Sequence, residues 1–130
     1  MDETLAYRLI LLPQSLAIFK LDPSATIPEW IWASKFLTIT RTREECSIIC
    51  DADQVPAEIS SEGGWRALKM EGPFEFTQIG VLASVANPLA AAQVSILSIA
   101  TYDTDYVLVT EPDLPTALKA LAEAGHQVLA

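Results

Sequence analysis

Catalysis needs nucleophiles, acids and bases that converge, and these 130 residues supply few of them. There is one histidine, His126, and there are two cysteines, Cys46 and Cys50. The chain has no Gly-rich phosphate loop of either common type, no His-Glu-x-x-His and no Cys-x-x-Cys. His126 stands at the start of the last strand pattern, where a lone histidine reads as a surface or packing residue. A metal centre needs several His, Cys or carboxylate ligands together. Only Asp103 and Asp105 are close, and aspartates there fit an ordinary hairpin turn. Cys46 and Cys50 fall on one strand, with Cα atoms roughly 13 Å apart, so a bridge between them is excluded. They read as free thiols in a reducing cytoplasm. No catalytic residue, metal or cofactor is expected.

Binding is better served. Gln78-Ile79-Gly80-Val81 opens a helical pattern. Free backbone N–H groups at a helix start favour anions such as carboxylate, and a glycine there lets a ligand or another chain approach. The bland alternative is that Gly80 only packs against the sheet. Further along the same helix, Pro88 has no N–H to give and crowds the carbonyl of Ser84. The helix is expected to kink or break near Ala86-Asn87, leaving the Ser84 carbonyl to another donor. That makes either a bend that wraps the sheet or a polar notch for a small group. The hairpin Ala100 to Tyr106 offers Asp105 for an ammonium or guanidinium and Tyr102 for an apolar or planar part.

The elements that must position these groups follow from punctuation and periodicity. Tyr7–Leu12 and Ser15–Leu21 read as two strands joined tightly at Pro13-Gln14. Ile27–Ser34 reads as a short helix with Thr26 as cap. Phe36–Thr40 and Cys46–Cys50 read as a hairpin, and 51–64 as a polar connection. Then come a strand over Trp65–Met70, a helix from about Gln78 to Ala92 with Thr77 able to cap it, and strands over Val94–Ala100 and Tyr106–Thr110. A second helix begins near Asp113 and ends at Gly125, before a closing strand over Gln127–Ala130. Residues 65–130 thus run β-α-β-β-α-β, the ferredoxin-like plan, with a four-stranded antiparallel sheet and both helices on one face.

The first half repeats the middle of that plan. At an offset of 60, Leu37-Thr38-Ile39 falls on Leu97-Ser98-Ile99, Ile48-Ile49 on Leu108-Val109 and Asp51 on Glu111. No helix pattern follows Cys50, so the first copy is truncated, and Tyr7–Leu12 is a candidate to pair in its place. Residues 1–61 are expected to form a degenerate unit and 62–130 a complete one.

Composition closes off other classes. Eight Lys and Arg against 17 Asp and Glu give a net charge of −9, with 51% hydrophobic and 19% charged residues. Disorder is excluded by the apolar content. Nucleic acid and anionic membrane surfaces are excluded as partners by the charge. Phe76–Tyr102 is uncharged for 27 residues, long enough to span a bilayer. It holds Gln78, Asn87, Pro88 and Gln93, and its pattern changes midway, so it reads as a helix plus a strand covered by other protein. The acidic start Met1-Asp2-Glu3 is unlike a signal peptide, and a cytoplasmic location is expected.

Three segments carry a resemblance. Trp65-Arg66-Ala67-Leu68, Gly80 through Leu89, and Ile96 through Val109 resemble the ACT-domain modules of the CASTOR group. These are cytosolic arginine sensors of animals and their small prokaryotic relatives, akin to the regulatory modules of aspartate kinases. Phe36 to Asp51 resembles, more loosely, the degenerate first module. The resemblance implies an α+β protein of two ACT units with a ligand site between modules. It carries ligand contacts onto Ser84 and Val85 on one side, and onto Gly80, Val81, Thr101, Tyr102 and Asp105 on the other. Gln78 joins that second side, where the resemblance implies an acidic residue. With two units in this chain, both sides come from a homodimer. The expected function is regulatory binding of an amino acid or related metabolite, without catalysis; a ligand-free assembly module is the alternative.

Overall fold

The computed structural model describes residues 6–71 and 79–130. The chain divides into two compact units, one built from the chain up to Pro13 together with Arg66–Ala130, the other from Gln14–Trp65. The strands are β1 (Arg8–Leu21), β2 (Leu37–Arg41), β3 (Cys46–Asp51), β4 (Glu62–Met70), β5 (Leu97–Ala100), β6 (Asp105–Thr110) and β7 (Gln127–Leu129); the helices are α1 (Val81–Ala91) and α2 (Leu114–Glu123). The units are spatial, whereas the expected 1–61 and 62–130 are consecutive stretches. They differ chiefly in that the chain up to Pro13 goes with the later stretch.

In the larger unit the βαββαβ order is present as expected, and the ACT fold with it. Alternation in the strands and four-residue spacing in the helices build one core. Leu68 and Met70 of β4 and Val107 and Val109 of β6 meet Val81, Val85 and Leu89 of α1 and Ala117 and Leu121 of α2. Both helices therefore cover one sheet face. The sheet, however, is not the expected four strands. The first part of β1 pairs in parallel with β7, Arg8 opposite Gln127 and Ile10 opposite Leu129. β1 also neighbours β4, so it stands between β4 and β7. Leu9, fully buried, comes with it into the core.

In the smaller unit β3 lies between β2 and the second part of β1, antiparallel to both. Phe19, Ile31, Cys46, Ile48 and Cys50 form its core. Both cysteines are free and buried. The expected helix over Ile27–Ser34 is a five-residue 3-10 turn, Glu29–Ala33. Pro28 is extended just before it (φ −62°, ψ 142°), which leaves Thr26 too far out to cap.

Three further differences have physical reasons. Pro13 does not split β1, because proline's fixed φ fits an extended strand and costs only one N–H. β5 begins at Leu97 rather than Val94, because Val94 is spent closing α1: its N–H donates to the Leu89 carbonyl at 2.9 Å. α1 is not broken near Asn87; it runs through Pro88 to Ala91. Pro88 deletes one hydrogen bond in the last turns, and its partner is supplied from elsewhere, as described below.

The two hairpins repeat, but at an offset of 59. Arg41 pairs with Cys46, and Ala100 with Asp105. In both turns a threonine N–H closes the loop: Thr42 to the Glu45 carbonyl at 2.9 Å, Thr101 to the Thr104 carbonyl at 2.8 Å. In both, the threonine Oγ1 accepts a backbone N–H, from Glu45 at 3.2 Å and from Thr104 at 3.2 Å. Ile48 and Cys50 then match Val107 and Val109, all core-facing. The expected offset of 60 set Ile48 on Leu108, which points to the other face, since one residue of slip inverts a strand.

Candidate functional site

The candidate site has two parts. The first is the start of α1. Gly80 takes the left-handed conformation (φ 84°, ψ 3°) as the residue that opens the helix, and among the described residues no side chain caps the first turn. A larger residue is strained at that φ, so glycine is required there. The helix starts at Val81 rather than near 78. Gln78, Thr77, Phe74 and Phe76 lie outside the described residues. Val81 and Val85 turn into the core, so they offer a ligand backbone rather than side chain. Ser84 is half-buried, and its Oγ–H donates to the Val81 carbonyl at 2.6 Å. With that proton engaged, the Ser84 oxygen can act only as an acceptor towards a ligand, which suits an ammonium.

The second part is the β5–β6 turn. Thr101 is held by its own turn bonds. Tyr102 is 81% exposed and Asp105 half-buried. Thr104, not singled out from the sequence, is the anchor: it is buried, and its hydroxyl donates to the Met70 carbonyl at 2.6 Å. Thr101, Tyr102 and Asp105 are thus brought together on one turn tied to the end of β4. Gly80, Val81, Ser84 and Val85 are brought together on two turns of α1.

Sequence reasoning also missed the role of His126. The Ser84 carbonyl, freed by Pro88, is not an open notch. His126 Nε2 bonds it at 2.8 Å, while His126 Nδ1 accepts the Tyr7 N–H at 3.0 Å. His126 is buried, so of the two expected readings, surface or packing, the structure gives packing. The signal was Gly125, whose closing turn (φ 96°) directs the next residue inward.

Two clefts lie away from these residues. One of about 340 Å³ is lined by Lys20, Glu45, Ser47 and Glu62. The other, about 290 Å³ and apolar, runs along Leu118, Ala122 and Leu129. Among the described residues no group of His, Cys, Asp and Glu could hold a metal ion, and no helix is long and apolar enough to cross a membrane.

Residues 60–123 match a family model described as the ACT domain, and residues 14–58 match a second model described as an N-terminal domain. The chain is 35% identical over 83 residues to the Homo sapiens protein named cytosolic arginine sensor for mTORC1 subunit 1. That match covers 58% of this chain but spans only 25% of the relative. A crystal structure of an Agrobacterium tumefaciens protein is similar with a TM-score of 0.89 and 37% identity, over 95% of this chain and 92% of the other. The ligand-free regulatory subunit of aspartate kinase from Thermus thermophilus shares the fold, with a TM-score of 0.60 and 16% identity over 89% of this chain and 95% of that one.

Proposed function

Because the chain belongs to the ACT domain family through residues 60–123, we propose that it is a regulatory sensor of an amino acid or related small metabolite. It acts through a protein partner, in the cytosol, and performs no catalysis. The observation that carries the reading is the opened start of α1. Gly80 opens the helix, and among the described residues no side chain caps its first-turn N–H groups, where a carboxylate fits. Ser84 Oγ, its proton given to Val81, suits the amine. The Thr101–Asp105 turn then reads the side chain, with the Asp105 carboxylate for a cationic one.

In this proposal α1 of one protomer faces the β5–β6 turn of a second copy, so the site belongs to a homodimer. Ile79, 89% exposed, and Tyr102 are large apolar groups that a second copy covers. The relative named as an arginine sensor supports the ligand class, and the aspartate kinase subunit the regulatory role.

Equilibrium dialysis against the twenty amino acids tests the reading. One or a few of them are expected to bind, and Asp105→Ala is expected to weaken a cationic ligand by one to two orders of magnitude, about the worth of one charge-assisted hydrogen bond. Absence of binding by every one at millimolar concentration sinks the ligand and leaves an assembly module.

A further inference from the structure

Pro88 and His126 are two halves of one device. Proline removes the donor that position 88 owes to the Ser84 carbonyl. His126 Nε2 takes that place at 2.8 Å, from the far end of the unit. Its other nitrogen is committed too: Nδ1 lies 3.0 Å from the Tyr7 backbone nitrogen, which can only donate. Nδ1 is therefore bare and Nε2 carries the proton. The two bonds specify a neutral ring and one tautomer. The ring is 5% exposed and stacks on Tyr7 with centroids 6.1 Å apart.

The local chain shows that this is a choice of residue. Both helices close by the same pair of bonds onto a left-handed residue. At the end of α2, His126 N–H donates to Leu121 O and Gly125 N–H to Ala122 O, each at 3.0 Å. At the end of α1, Val94 N–H donates to Leu89 O at 2.9 Å and Gln93 N–H to Ala90 O at 3.0 Å. The residue after the left-handed one is normally apolar, because it packs back on the helix. Val94 obeys this and is buried in the core. His126 is equally buried but polar, and its ring bonds supply the reason.

We propose that His126 is a positioning residue and a proton-sensitive joint: its neutral ring pins the start of β1 and α1 to the α2–β7 corner, and a second proton releases the β1 side. Protonated, Nδ1 points an N–H at the Tyr7 N–H, and that bond is lost. The Nε2 bond to Ser84 survives and becomes charge-assisted. Acid thus loosens Tyr7, and the β1–β7 pairing next to it, while α1 stays held. The ionisable groups on the surrounding elements do not reverse this. α1 and β7 carry none. Lys119 and Glu123 of α2 pair with each other at 3.9 Å, and Arg8 of β1 pairs with Glu71 at 3.1 Å, both pairs largely in solvent. Tyr7 adds its stacked phenol. The joint stands independently of any ligand; only its bearing on Ser84 as a binding residue rests on the function proposed above.

His126 is the chain's only histidine, so its ring nitrogens are unambiguous by 15N NMR. In the full chain at pH 8 the ring is expected as the Nε2–H tautomer. Between pH 8 and pH 5, Tyr7 amide exchange, corrected for its intrinsic rate, is expected to rise at least tenfold in step with ring protonation, while the α1 amides hold. A ring found as Nδ1–H, one that protonates without a response at Tyr7, or one that stays neutral until the protein unfolds overturns the proposal. A double-mutant cycle tests the pairing with Pro88. Pro88→Ala gives Ser84 a helical donor, so His126→Ala is expected to lower the melting temperature several degrees less in that background. Equal losses in both backgrounds overturn it. If no amino acid binds in dialysis, the ligand reading fails while the ring data still decide the joint.

Discussion

At the residue scale, the end of β3 shows how one polar side chain organises a loop. Asp51 is buried, and its carboxylate accepts the N–H of Lys35 at 2.9 Å and of Phe36 at 3.2 Å. Its own N–H donates to Ser34 Oγ at 2.6 Å, and that hydroxyl donates to the Phe36 carbonyl at 2.8 Å. The approach to β2 is thereby fastened to β3. Cys50 feels the same neighbourhood. Burial, with the Asp51 and Asp53 charges adding to it, pushes its thiol from 9.0 up to about 11. The thiolate is disfavoured in the fold, so the associated stability is complete below pH 9 and lost as pH rises towards 11. In urea titrations the cost of Cys50→Ala is therefore expected to shrink steadily from pH 8.5 to pH 11, the tyrosine and lysine contributions cancelling between the two proteins. A cost independent of pH contradicts this environment. None of it was legible beforehand: a thiol and a carboxylate adjacent in sequence say nothing about which one is desolvated.

At the element scale, helix ends decided more than helix middles. α2 closes on Gly125, a glycine doing what its type predicts. α1 closes the same way on Gln93, at φ 64°. A left-handed non-glycine residue costs about 1–2 kcal/mol, and glycine's extra unfolded-state freedom returns roughly half of that. Gln93→Gly is expected to stabilise the protein by about 0.5–1 kcal/mol, read as a rise in the thermal midpoint; a loss of stability shows that the Gln93 side chain matters more than its backbone. The start of β5 was misplaced for the same reason, because Val94 looks like strand and works as a helix stop. The hairpin repeat was legible but mis-set by one residue. Apolar identity alone aligns Ile48-Ile49 with Leu108-Val109. The turn threonines, Thr42 and Thr101, set the true register, and they are visible as a pattern only once the turn bonds are known.

At the scale of the whole molecule, the ACT unit is not made of consecutive residues. β7 has its pairing partner in Arg8–Ile10, and Leu9 is fully buried among α1, α2, β4 and β6 side chains. A fragment of residues 62–130 leaves β7 unpaired and a leucine-sized hole in the core, a loss of about 2–5 kcal/mol for the hole alone. Such a fragment is expected to show poor amide dispersion by NMR, and to recover it on adding a peptide of residues 6–13. A fragment that folds cooperatively alone shows that the first part of β1 is dispensable.

The sequence by itself determined the βαββαβ order, the two-unit character, the ACT resemblance over the later half and the opened carbonyl of Ser84. Each of these is local: they follow from periodicity, from a proline's missing donor, or from short segments read in order. The tertiary structure alone decided where the first strand went and what filled the carbonyl at Ser84. Tyr7 and Ser84 are both held by His126, 119 and 42 residues away along the chain. Contacts of that separation leave no periodic trace in the sequence, because strand insertion and ring placement are selected by the packing of the whole unit.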